Sequence, residues 1–453
     1  MHYTVFRAAA RGAPLLLPRR KGSLGVRTIE EKRRPAPDAD EAEAARRKRS
    51  PLYALSFRNF RLFFYGQLVS VAGTWMQTIA QNWLIYALTH EAKWLGIVNG
   101  ASAIPYVLFA VWGGQVADRY SRRTVLIWTQ AAAMVLAFAL AALAMESNHL
   151  LPIQPWHIAV ISGLNGIVNA FNMPAQQALV TDLVDDRDAI PNAIALNSFR
   201  FNTARFLGPM LAGVVLVKYG AAACFWINGF SFVAVILSLL WIRAPHRGGG
   251  EGGLSMWEGF GYIARERRVL RVVALVGAAS LLAWSVSTLY PVFANLFQRA
   301  EAGYSTIMSV NGVGAALGGL AVTVIGTRAS ARSLVYGGAF CFAATLLLLT
   351  WAPSFGLFLF WLGISGFAMI VFAISANTFV QQQVPDELRG RVMGVYSLIF
   401  GGLLPVGGLA IGYLSDRIGA RPASSWEVSA FLAIAVALFL WSQLDRRAAA
   451  MER

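Results

Sequence analysis

Twelve apolar runs divide residues 62–444, and most are longer than the roughly 20 residues a helix needs to cross the hydrocarbon core of a bilayer. They lie at about 62–88, 94–116, 124–145, 156–180, 191–217, 221–242, 271–296, 304–327, 333–352, 354–380, 392–414 and 427–444. The narrowest division is Ala352-Pro353-Ser354. Lipid offers no partner to backbone N–H and C=O groups, so runs of this length must close their hydrogen bonds internally as helices. Composition agrees. Only 14% of residues are charged, against about 25% in soluble domains, while 57% are apolar, with 14 Trp and 28 Phe. A water-facing surface cannot be made from so few charges. The predicted class is an all-α polytopic membrane protein with 12 transmembrane helices.

The net charge of +16 is spread in a way that speaks for topology and against nucleic acid. Residues 1–57 carry 13 Lys/Arg and 6 Asp/Glu and lack the apolar content for a core, so they are predicted to be a disordered basic tail. Its Leu15–Leu17 is too short for a signal-peptide core, and a start codon placed too early would look the same. With the N-terminus in the cytoplasm, 32 Lys/Arg fall on the inner side and 5 on the outer. Without the tail the ratio is still 19 to 5, so both termini are expected to be cytoplasmic. The chain then divides into the tail, a six-helix bundle at 58–245, a central loop at 246–270, a second bundle at 271–445 and a cytoplasmic tail at 446–453. Within the loop, Ser255–Arg271 sets Trp257, Phe260 and Ile263 against Arg265, Arg267 and Arg268. That reads as an amphipathic helix on the inner membrane surface, with plain linker as the alternative.

The two halves repeat. A shift of 199 residues superposes Ser198 on Ser397, Phe201 on Phe400, Gly208 on Gly407, Gly213 on Gly412, Gly220 on Gly419 and Ala221 on Ala420. This pairs span 5 with span 11, as expected of a transporter built from two parallel repeats.

Between spans 2 and 3 the chain reads Gly114-Gln-Val-Ala-Asp118-Arg119-Tyr-Ser-Arg122-Arg123. This resembles the G-x-x-x-D-R-x-G-R-R loop of the major facilitator superfamily, with Ser121 at the usual glycine. Gly114 is expected to permit close helix contact. The resemblance implies that Asp118, Arg119, Arg122 and Arg123 latch the halves in the outward-facing state, with Asp182 at the end of span 4 as a candidate partner. In span 5, Gly208-Pro209-Met-Leu-Ala212-Gly213 resembles the G-P-x-x-G-G motif of the superfamily's exporters, with Ala212 for one glycine. Proline and small residues there imply a kinked, tightly packed helix. Together with Phe60-Arg-Leu-Phe-Phe-Tyr-Gly-Gln67 and Asn197-Ser198…Asn202…Arg205, these residues are similar to the branch that includes the enterobactin exporter and macrolide efflux proteins. The resemblance implies the two-bundle major facilitator fold, a bacterial inner-membrane location and proton antiport. One departure stands out: Ser162 occupies the position, four residues before Gly166, where many proton-coupled drug exporters carry arginine.

Polar residues inside the spans mark a candidate substrate cavity. Gln67, Ser70, Thr74, Gln77 and Gln81 recur every three or four residues in span 1, as do Ser162, Asn165, Asn169, Asn172 and Gln176 in span 4. Unpaired amides are costly in lipid, so both stripes are expected to face a wet central cavity, with hydrogen bonding between helices as the alternative. Arg205, near the middle of span 5, has no acid at its depth. It therefore meets an anionic or polar substrate, or else caps a neighbouring helix. Arg200 is expected to snorkel to the cytoplasmic side. No acid is expected deep in a span; Asp118, Glu146, Asp182 and Glu427 are placed at boundaries.

No catalytic constellation, nucleotide loop or metal-ligand spacing is present in the sequence, and its two cysteines, Cys224 and Cys341, lie inside apolar runs. The expectation is a cofactor-free, monomeric secondary exporter of siderophore-like or drug-like molecules working by alternating access, with a proton as coupling ion. An importer or lipid carrier of the same fold is the alternative, and a membrane enzyme or receptor a remoter one.

Overall fold

The computed structural model describes residues 50–145, 152–242, 256–325 and 329–451. Helices account for nearly all of them, and no strand occurs among the described residues. The N-terminal half comprises α1 (Arg58–Thr89), α2 (Ala92–Arg119), α3 (Arg122–Leu143) and α4 (Pro155–Asp182), then α5 (190–219) and α6 (221–241). A surface helix, α7 (Met256–Arg265), leads into α8 (Arg267–Leu296), α9 (Ala300–Ile325), α10 (Ala331–Thr350), α11 (Phe355–Gln383), α12 (Asp386–Ile418) and α13 (Ala420–Met451).

Two helices in the segment Ile190–Trp241 meet at a kink at Gly220, where φ is +77°. Gly419 turns the chain between α12 and α13 with φ +88°. An L side chain is strained in that region, and glycine is not. Among the described residues, ten helical segments are long and apolar enough to cross a membrane, Arg187–Trp241 counting as one of them. Helix α1 is not among the ten, since its amides and hydroxyls dilute its hydropathy.

Within each half the helices interlock where side chains are smallest. A Cβ at Gly113 would meet the Ala170 backbone of α4, and one at Gly166 would meet that of Ser102 in α2. Gly114, by contrast, has nothing within 4 Å of a Cβ built on it. The close approach expected of Gly114 belongs to its neighbour Gly113, one residue round the helix.

Two expected boundaries shift. The disordered tail was expected to reach residue 57, but Tyr53–Ser56 form a 3₁₀ turn docked on the loop before α5. There Ala54 N donates to Asn192 Oδ1 (2.8 Å), Tyr53 donates to Asp186 (3.0 Å), and Ala54 is fully buried. Residues 1–49 lie outside the described residues. The amphipathic helix is shorter than expected, ending at Arg265 before α8 begins at Arg267. It presents Trp257 outward, 82% exposed, and buries Ile263. Glu258 pairs with Arg391, and Tyr262 donates to the Gln383 carbonyl (3.0 Å), which fastens α7 to the ends of α11 and α12. Of the two cysteines, Cys224 is buried and Cys341 exposed.

Candidate functional site

The halves meet along two helix pairs, α2 with α12 and α5 with α9. The 199-residue repeat explains why there are two. Gly208 of α5 lies against α1, where a Cβ would be 2.9 Å from the Ala72 oxygen; Gly407 of α12 lies against α8, 2.9 Å from the Ser285 Cβ. One turn on, each helix turns to the other half. A Cβ at Gly213 would be 2.9 Å from the Ser305 Cβ in α9, and one at Gly412 would be 2.8 Å from the Ala92 oxygen in α2. Phe201 and Phe400 extend the pattern, each packing edge-on against a tryptophan of the first helix of its half, Trp75 and Trp284. Pro209 and Ala212 are buried within this packing.

These contacts cluster at one end of the molecule and form a seal. Asp416, near the end of α12, accepts hydrogen bonds from the first two backbone amides of α2, Ala92 (2.7 Å) and Lys93 (3.0 Å). A carboxylate there meets both the unpaired N–H groups and the positive end of the helix dipole. Asn82 donates to Tyr304 (3.5 Å), and Asn295 donates to Tyr86 (3.4 Å), both across the same interface.

Just inside the seal sits Arg205, half-buried, its guanidinium 5.7 Å from the Trp75 ring centre. Trp75 also packs against Phe201. The buried Tyr290 of α8 lies within electrostatic reach of Arg205 and of the buried Tyr304. Among the described residues no carboxylate pairs with Arg205. The result is a positive charge beside an aromatic ring of one half and within electrostatic reach of a buried tyrosine of the other. Such a site holds anions by charge and flat apolar groups by stacking.

Several amides of the two stripes hydrogen-bond between helices, the alternative left open above. Gln67 accepts from Arg200 (3.3 Å), Gln77 accepts from Asn228 (2.7 Å), and Gln81 donates to Ser162 (2.8 Å). Asn172 accepts from Thr129 (3.2 Å) and Gln130 (3.1 Å). Thr74 and Asn169 are exposed, Asn165 is half-buried, and the Asn202 side chain lies outside the described residues. Arg200 does not snorkel. It is 2% exposed, bonded to Gln67 and to Asn197 (2.8 Å), with the Phe63 ring at 5.7 Å.

At the opposite helix ends, Arg122 forms an ion pair with Asp182 (2.6 Å) and donates to the Ala178 carbonyl (3.2 Å). Arg123 donates to Leu239 (2.6 Å) and Leu240 (2.8 Å), closing the end of α6. Both arginines are thus engaged inside the N-terminal half, while Asp118 and Arg119 are exposed.

One carboxylate was misplaced by sequence reasoning. Helix α13 starts at Ala420, so Glu427 sits two turns inside it, not at its boundary. It is 7% exposed and accepts from Ser285 (2.7 Å), and among the described residues it has no cationic partner. Ser285 lies in the 3₁₀ stretch Trp284–Leu289 that interrupts α8. The apolar run began at Glu427 only because Arg421 and the serines before it lower the hydropathy.

Residues 49–452 match the model of the transmembrane secretion effector family. The chain belongs to that family, within the major facilitator superfamily. The transporter is 27% identical to the staphyloferrin A transporter of Staphylococcus aureus over 79% of this chain and 90% of that one. It is 25% identical to the enterobactin exporter EntS of Escherichia coli over 75% and 80%. Among solved structures, the nucleoside transporter NupG superposes with a TM-score of 0.66 at 16% identity, over 85% of this chain and 99% of that one. It is therefore a multi-pass membrane transporter of the efflux and secretion type, not an enzyme.

Proposed function

We propose that this protein is a secondary exporter of small amphipathic molecules bearing negative charge, of the siderophore or drug type, in the bacterial inner membrane. The observation that carries this reading is Arg205: a guanidinium with no carboxylate partner among the described residues, beside Trp75 and within electrostatic reach of Tyr290, where the two halves meet. A charge at that depth costs about 2.5–3.5 kcal/mol on insertion scales. An anionic ligand offsets that cost in the loaded state. The names of the relatives, a staphyloferrin A transporter and an enterobactin exporter, support a siderophore as the first substrate to try.

In the proposed cycle all twelve helical columns cross the membrane with both termini in the cytoplasm, and the conformation described above is closed to the outside. Substrate enters from the cytoplasm, the seal made by Asp416, Gly412 and Gly213 parts, and the Asp118 loop closes the inner side. A proton gradient is the proposed energy source, and Glu427 is the buried acid available to carry the proton.

The test is accumulation of labelled siderophores and of a drug panel in efflux-deficient cells expressing the protein, with and without a protonophore. Lower accumulation that recovers with the protonophore is the expected result, with Arg205→Ala losing at least tenfold and Arg205→Lys retaining part. Normal transport by both variants would remove Arg205 from the substrate site.

A further inference from the structure

The arginines at the cytoplasmic ends of the two halves are balanced differently. In the N-terminal half, Arg122 opens α3 and is answered by Asp182 at the end of α4. In the C-terminal half, Arg332 stands second in α10, and the residue at the end of α11 is Gln383. No acid occupies the corresponding place.

A cavity of about 240 Å³ lies there, lined by Arg268, Arg271, Arg332, Arg446, Gln383 and Ser442 among others, and no carboxylate lines it. Asp445 stands beside it and is taken by Arg271, with Arg267 at 3.9 Å. Glu266 accepts from the Arg268 backbone amide (3.3 Å). Four guanidinium groups therefore share this corner with one directly paired acid.

Arg271 is fixed by Asp445, whereas Arg332 is held in place without a carboxylate. Arg271 is 6% exposed and stacks 5.3 Å from the Trp441 ring. Arg332 donates to Ser442 and lies over Tyr336 (5.9 Å) and Phe439 (5.8 Å). It is also within electrostatic reach of Arg271 and Arg446, two like charges. Fixed, planar, weakly hydrated donors that repel one another form a receptor for a tetrahedral oxyanion, which guanidinium groups grip in pairs.

We propose that this cavity is a phosphate-binding site, separate from the transport path, which takes the headgroup phosphate of an anionic phospholipid or a dissolved phosphate. Its position favours the lipid: it opens at the same helix ends as α7, whose exposed Trp257 is of the type enriched at membrane interfaces.

Native mass spectrometry of the full-length protein, extracted from nanodiscs of phosphatidylglycerol or of phosphatidylcholine, separates the sources. A second arm measures inorganic phosphate binding by calorimetry in detergent. Arg446→Gln, at an exposed site, and Arg332→Gln are compared with Arg58→Gln, an exposed arginine on the other half. Retention of phosphatidylglycerol in preference to phosphatidylcholine, reduced about tenfold by Arg446→Gln and Arg332→Gln and unchanged by Arg58→Gln, establishes the site with lipid as its source. Phosphate binding with the same dependence on Arg446 and Arg332, but no lipid preference, establishes it with a dissolved source. Binding absent from both arms, or equal in Arg446→Gln and Arg58→Gln, overturns the proposal.

Discussion

Asp416 is the place to perturb the balance between the two halves, because its carboxylate alone meets both leading amides of α2. Asp416→Ala leaves those two N–H groups to water when the halves are together and changes nothing about them when the halves are apart. Hydrogen bonds to a charged group contribute about 1.5–3 kcal/mol each when buried. Asp416 is exposed, which brings the pair down to about 2 kcal/mol in total, including about 0.5 kcal/mol from the helix dipole. At 1.4 kcal/mol per factor of ten, the sealed state loses about twenty- to thirtyfold in population relative to the parted one. Asp416→Asn keeps an acceptor but no charge and should fall between. Spin labels at Leu88 and Leu296, both exposed at the sealed end and one in each half, report the separation by double electron–electron resonance in a background without Cys224 and Cys341. The wild type should give one short distance, and Asp416→Ala a second, longer population that Asp416→Asn shows more weakly. Superimposable distributions for wild type and Asp416→Ala would refute the reasoning, since the cap would then contribute less than about 0.5 kcal/mol.

Gly412→Leu should part the same end more strongly than Asp416→Ala, because α2 backbone lies within 3.0 Å of a Cβ there, and the same spin-label pair reads it. Gly113→Leu should lower the melting temperature of the detergent-solubilised protein by driving α2 from α4, whereas Gly114→Ala should be silent in the same melt. Breaking the buried Arg122–Asp182 pair by Asp182→Asn should destabilise the N-terminal half by about 3 kcal/mol, and Arg122→Gln/Asp182→Asn together by less, measured as thermal shifts in a double-mutant cycle. Glu427→Gln should bind substrate normally yet lose the dependence of transport on the proton gradient in proteoliposomes; unchanged coupling would take Glu427 out of the cycle.

What the sequence shows clearly is what lipid enforces. Apolar length announces helices because a continuous run of about 20 apolar residues suits a spanning helix, whereas a barrel strand needs only about 10. The glycine pairs of the repeat were legible for a related reason: a half that must pack on its own first helix and on its partner's second helix needs small residues in the same register twice. Gly208 with Gly407 and Gly213 with Gly412 do that, and Gly220 with Gly419 turn the chain at both. Periodicity stops short of saying what a polar stripe faces. Gln67, Gln77 and Gln81 share one face of α1, yet each finds a partner on another helix, Arg200, Asn228 and Ser162, that lies 81 to 151 residues away in the chain. A stripe that meets such partners and one that meets water have the same spacing. Depth was misread for a parallel reason. Hydropathy places a helix end where polarity rises, but the end of α13 is set by Gly419, so Glu427 passed for a boundary residue while standing two turns inside. The sequence can therefore place an arginine in mid-span, as with Arg205. It misses a buried acid whose neighbours in sequence are serines, and that acid is where the energy coupling of this transporter is most open to test.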